Sequence, residues 1–101
     1  MNISLSTYNA LYEFLLEFYP DLAEEFAESA QGDYDFVLEQ LNIRQRGQVE
    51  IDESLFKNKK EEFIEIAKKN LEEWEEEEYI SHIDQKIIDT YQLSLDFFEE
   101  I

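Results

Sequence analysis

Apolar side chains recur along this chain mostly at intervals of three and four, the period of a helix with one buried face. Tyr8, Leu11, Tyr12, Leu15, Phe18 and Tyr19 predict a first helix that begins after Ser6, a good N-cap, and stops at Pro20. Asp21 with Glu24 resembles a capping box, and Leu22, Ala23, Phe26, Ala27 and Ala30 predict the face of a second helix ending at Gly32. A shorter third helix is expected over 33–41, burying Tyr34, Val37, Leu38 and Leu41.

The period then changes. Ile43, Gly47, Val49 and Ile51 predict a very short extended or hairpin segment near residues 43–51, with Arg46-Gly47 as its turn. Beyond it, Asp52 or Ser54 can cap a long fourth helix carrying Phe56, Phe63, Ile64, Ala67, Leu71 and Trp74 on one side. Ser81 followed by Asp84 gives a fresh start signal, and Ile83, Ile87, Ile88, Tyr91, Leu95 and Phe98 form the stripe of a fifth helix. The expectation is all-α: one acidic helical domain over 1–101, a compact bundle of about five helices.

Composition agrees with that reading. A chain of 101 residues suits one modest core, and 44% apolar with 15% aromatic content is too much for a chain that stays unfolded. Two glycines and one proline leave little turn chemistry for hairpins. With no cysteine, disulfides, thiolate metal sites and cysteine nucleophiles are excluded. No targeting segment or membrane-length apolar run is visible, so a soluble cytoplasmic protein away from membranes is expected.

Charge changes the picture most. The 26 acidic residues against 8 basic ones leave a net charge of -18, which repels nucleic acid and attracts basic protein surfaces. The ends carry it: residues 1–43 have a net charge of -9, residues 44–69 of +1, and residues 70–101 of -10. Asp21, Glu24, Glu25, Asp33 and Asp35 fall in expected first turns, where carboxylates satisfy free amides. The fourth helix is reversed, with Lys57, Lys59 and Lys60 at its start and Glu72, Glu73, Glu75, Glu76, Glu77 and Glu78 at its end. The helix dipole disfavours that order by roughly 0.3 to 1 kcal/mol per charge. Pairs such as Lys57 with Glu61, Lys68 with Glu72 and Lys69 with Glu73 would offset part of this.

Motifs for catalysis are missing. His82 has no second histidine and no Glu-x-x-His partner set, so neither a metal nor another cofactor is expected. Asp33-Tyr34-Asp35 opens like a calcium loop, but Leu38 stands where glycine is required and Arg44 where glutamate is. Gly32 and Gly47 stand alone, too few to cradle a phosphate, and no serine lies in a nucleophile motif. The expectation is a protein that is not an enzyme.

Carboxylates at intervals of three and four on a helix lie about 4.5 to 6 Å apart along its axis, so several acidic helices together can approach the charge density of a phosphate backbone. Glu13, Glu17, Asp21, Glu24, Glu25 and Glu28 follow that spacing, bent at Pro20, and the five glutamates among them join Glu72, Glu73, Glu75, Glu76, Glu77 and Glu78 as candidate partner-binding residues. A Glu-rich run is also commonly no more than a solvated face. In its charge and composition throughout, and in Thr7-Tyr8-Asn9 opening an aromatic, acidic first helix, the chain resembles the small DNA-mimic inhibitors of phages and mobile elements, of anti-restriction and anti-CRISPR type. That resemblance implies a basic nucleic-acid-binding partner, a nuclease or defence complex, and inhibition by occupying its cleft. An immunity protein or antitoxin against a basic nuclease, using Tyr12, Tyr19 or Tyr79 as anchors, and a helical adaptor subunit are the other readings; a homo-oligomer is left open.

Overall fold

The computed structural model describes residues 1–29 and 48–101. Among them are a strand β1 (Asn2–Ser4), helices α1 (Leu5–Phe18) and α2 (Pro20–Ser29), a strand β2 (Gln48–Glu50), a short helix α3 (Ser54–Lys57), and helices α4 (Lys60–Glu75) and α5 (His82–Glu100). The architecture is an all-α bundle with a two-stranded antiparallel patch. The third helix expected over 33–41, the stop at Gly32 and the Arg46-Gly47 turn lie outside the described residues.

Helix α1 starts earlier than its stripe suggests. Ser4, not Ser6, is the N-cap, its hydroxyl accepting the Thr7 amide at 3.1 Å, because a start at Leu5 brings that leucine into the core. The chain ahead of it is extended, a strand too short for its own hydrophobic pattern to announce. Ile3 pairs with Val49 and Asn2 with Glu50, so the extended residues at 48–50 pair with a strand at the start of the chain. Ile3, Val49 and Ile51 are buried by this pairing, and the Ile51 amide donates to the Met1 carbonyl at 2.9 Å.

Two helix boundaries also differ. Pro20 sits inside the start of α2, where its missing amide costs nothing, so Asp21 is a first-turn residue and not the cap of a box. The expected long fourth helix is broken at Asn58 and Lys59, the latter at φ -122, ψ 19. That break improves the electrostatics: Lys57 now closes α3, while Glu61 and Glu62 occupy the first turn of α4. At the far end, Ser81 and Asp84 form the expected capping box, each side chain accepting the other's amide at 3.2 Å.

The core is aromatic. Phe14, absent from the expected stripe, is fully buried in α1 and meets Phe98 at 5.3 Å, Phe63 at 6.3 Å and Tyr91 at 6.4 Å between ring centroids. Phe63 stacks on Phe98 at 5.0 Å, and Phe56 bridges both to Phe26 of α2, which stacks on Tyr8. These edge and offset contacts are the geometries that ring quadrupoles favour. Phe97, also absent from the expected stripe, packs edge-on against Phe56. At the start of α5 the stripe overshoots: Ile83 and Ile87 are exposed rather than buried, because α1 ends at Phe18, level with Tyr91.

One buried polar group stands out in this core. The Ser94 hydroxyl of α5 is fully buried with no hydrogen-bond partner among the described residues. Removing an unsatisfied hydroxyl eliminates a desolvation penalty, and alanine is the better helix former. Ser94→Ala is therefore expected to stabilise the protein by about 1 kcal/mol, read as a higher urea midpoint at unchanged slope.

Candidate functional site

All eleven candidate carboxylates are exposed: Glu13 and Glu17 on α1, Glu24, Glu25 and Glu28 on α2, and Glu72, Glu73, Glu75, Glu76, Glu77 and Glu78 at and just beyond the end of α4. Among the described residues none of them forms an ion pair. Among the described residues the ion pair present joins the Met1 ammonium to Glu53 at 3.5 Å, and the expected Lys57–Glu61, Lys68–Glu72 and Lys69–Glu73 pairs do not form. The break at Asn58 and Lys59 takes Lys57 out of the helix that carries Glu61, and its charge acts weakly on Asp52 and Glu53. The Asp52 carboxyl lies below its usual range chiefly because the Ser54 hydroxyl and amide donate to it, with Lys57 contributing less.

Neutral groups hold other carboxylates in place without cancelling their charge. On α5, Gln85 donates to Asp89 at 3.0 Å and Gln92 to Asp96 at 2.9 Å, each one turn apart. Lys86 is the one basic residue in 70–101. No basic residue sits in the last turn of α4, so the negative end of its dipole faces Glu72, Glu73 and Glu75 with nothing local to offset it.

Tertiary packing brings two of the acidic groups together at Tyr91. This tyrosine is buried on α5 beside Phe14 and Phe18, and its hydroxyl donates to Glu17 at 2.9 Å across the α1–α5 contact. Burial is the main reason its pKa is pushed up to about 12; the Glu17 hydrogen bond and charge add to it, and Glu73 adds further from α4. Glu17 of the α1 row and Glu73 of the α4 run therefore both act on this one hydroxyl. The α2 acids do not form a single row: Glu24 and Glu28 line a groove with Tyr12, Leu16 and Pro20, whereas Glu25 lines a second depression with Tyr19, Asn58 and Lys59.

Of the tyrosines considered as anchors, Tyr12 and Tyr19 are partly buried against the core and Tyr79 is exposed. Tyr19 is engaged on both sides, with the Lys59 ammonium 5.1 Å from its ring and Phe63 edge-on to it. Its hydroxyl is pushed above its ordinary range by burial first and by Glu62 second. Among the described residues no group of three or more His, Asp or Glu is placed to share a metal ion, and no helix is long and apolar enough to cross a membrane. His82 is an exposed residue in the first turn of α5. No known protein family, curated protein or solved structure matches this chain.

Two measurements check this electrostatic picture. The self-repulsion of a net charge of -18 is screened over about 10 Å at 0.1 M salt, so the melting temperature is expected to rise from low to moderate NaCl. At Tyr91 the fold favours the neutral phenol; because the folded pKa of about 12 exceeds the unfolded value of about 10, that stabilisation is complete below about pH 10 and disappears as pH rises through 12. In an alkaline absorbance titration one ionisation near pH 12 should vanish in Tyr91→Phe and shift to lower pH in Glu17→Gln.

Proposed function

We propose that this protein is a nucleic-acid-mimicking inhibitor that occupies the basic DNA- or RNA-binding cleft of a defence or nucleic-acid-processing enzyme. One observation carries the reading: Glu17 of α1 accepts a hydrogen bond from Tyr91 and the charge of Glu73 of α4 acts on the same hydroxyl, so exposed carboxylates of two helices that form no ion pair among the described residues serve one spot of an aromatic core. Glu72, Glu73 and Glu75 share about 4.5 Å of helix axis, an axial charge density close to the one charge per about 1.7 Å of duplex DNA. Trp74, between them in sequence, packs on the core, and the three carboxylates around it are all exposed.

Such a surface would enter a cleft shaped for phosphates, release the counterions held there and exclude the substrate by competition. The resemblance to anti-restriction and anti-CRISPR inhibitors of phages adds a target class, a cytoplasmic nuclease or defence complex. A second reading, an immunity protein or antitoxin bound beside a nuclease active site, draws support from exposed Tyr79, since interface hot spots are enriched in tyrosine.

Recovery of the tagged protein from its native host, with its partners identified by mass spectrometry, tests the proposal. The expected partner is a basic nucleic-acid enzyme that excess duplex DNA or RNA releases and that added salt weakens steeply. A stable ternary complex with nucleic acid seated in the cleft would exclude mimicry and leave the immunity reading. Against the recovered enzyme, changing Glu73, Glu76 and Glu77 together to Gln removes three exposed charges worth about 0.5 kcal/mol each, a loss of affinity of about tenfold. Stability should be unchanged or slightly higher, because unfavourable dipole and like-charge interactions go with them. The same change at Glu24, Glu25 and Glu28 should cost less, since those residues are divided between two depressions.

A further inference from the structure

Helix α5 carries one continuous apolar stripe, Ile83, Ile87, Tyr91, Leu95 and Phe98, at helical spacing, and only its C-terminal part is covered. Tyr91 and Phe98 pack against Phe14 of α1, while α1 ends at Phe18, which lies beside Tyr91. The two helices run antiparallel, since the start of α1 shares a depression with Asp96, Phe97 and Glu100. The first turns of α5 therefore extend past the end of α1, by about 10 Å for residues 82–88. On that overhang Ile83 is 73% exposed and Ile87 37%, and the preceding turn adds Tyr79 at 80% and Ile80 at 41%. Isolated exposed apolar side chains are ordinary; four within nine residues, continuous with the core-facing stripe, make a patch.

What surrounds the patch selects its occupant. Glu72, Glu73 and Glu75–Glu78 precede it and Asp84 and Asp89 flank it in sequence, with Lys86 the one Lys or Arg in residues 70–101. A second copy of this chain would bring the same carboxylates face to face, so charge disfavours self-association. We infer that the uncovered start of α5, centred on Ile83 and Ile87, is the docking site for an amphipathic helix of the partner with apolar anchors on one face and Lys or Arg at its borders. That helix would continue the layer that α1 leaves unfinished, with the acidic run steering it and the isoleucines holding it. The inference deepens the inhibitor reading, on which it rests for the basic character of the partner, and adds an apolar anchor that pure phosphate mimicry lacks.

The test uses the full chain and two fluorescent 17-residue peptides of equal positive charge, one an amphipathic Leu/Lys helix and the other with each Leu replaced by Gln. Fluorescence anisotropy at moderate salt is expected to give about tenfold tighter binding for the Leu/Lys peptide, the scale of burying one or two aliphatic side chains. The double variant Ile83→Ser, Ile87→Ser should lose this preference and keep the weaker binding common to both peptides. Both positions are exposed, so an unchanged melting curve shows that the variant stays folded. Equal binding of the two peptides, or a preference that survives in the double variant, would overturn the inference. So would a dimer in sedimentation equilibrium that the double variant dissolves, because a second copy would then be the occupant. Displacement of the recovered enzyme by nucleic acid, the test of mimicry, is a separate readout, and either reading can fail alone.

Discussion

Everything in this protein hangs on a small set of rings around Phe14. That side chain contacts Phe63 of α4 and both Tyr91 and Phe98 of α5, and Phe56 extends the cluster to Phe26 of α2. A fully buried Phe stabilises by about 1.5 to 3 kcal/mol through removal of apolar surface from water, and well-oriented ring pairs add to it. A chain of this size with a net charge of -18 needs such a dense core, because its surface opposes compaction. The helices face their rings inward, and the carboxylates are left on the outside.

The charge distribution then follows from helix ends. At the start of α4, a break at Asn58 and Lys59 places Glu61 and Glu62 where free amides favour them. At its end no such remedy exists, and Glu72 to Glu78 stand against both the dipole and one another. Selection for stability alone would place a Lys or Arg there. A surface that keeps this cost, close to the hydroxyl on which Glu17 and Glu73 both act, is what the proposed binding of a basic partner would require.

Much of this was legible locally. The stripes of α1, α2 and α4 and the Ser81–Asp84 capping box depend on neighbours three or four residues apart, which the sequence displays directly. Exposure of the eleven acidic candidates was equally readable, because an unpaired carboxylate does not enter an apolar core. The misses have a different origin. Ser4 replaces Ser6 as the cap because Leu5 is drawn into a core assembled from distant residues, and Phe14 and Phe97 are buried because several helices converge on them. Ile83 and Ile87 fit the stripe perfectly and are still exposed, since periodicity says which face a helix would bury and not how far its neighbour reaches.

The sequence by itself therefore determined the helical class, the aromatic character of the core and the sign and local density of the surface charge, all consequences of composition and short-range spacing. Tertiary structure alone decided that residues 2–4 pair with 48–50, that Glu17 and Glu73 both act on Tyr91, and that the start of α5 stands uncovered. Each of these joins groups far apart along the chain, or depends on where one helix ends against another. Such relations are set by the packing of the whole core, and no local pattern encodes them.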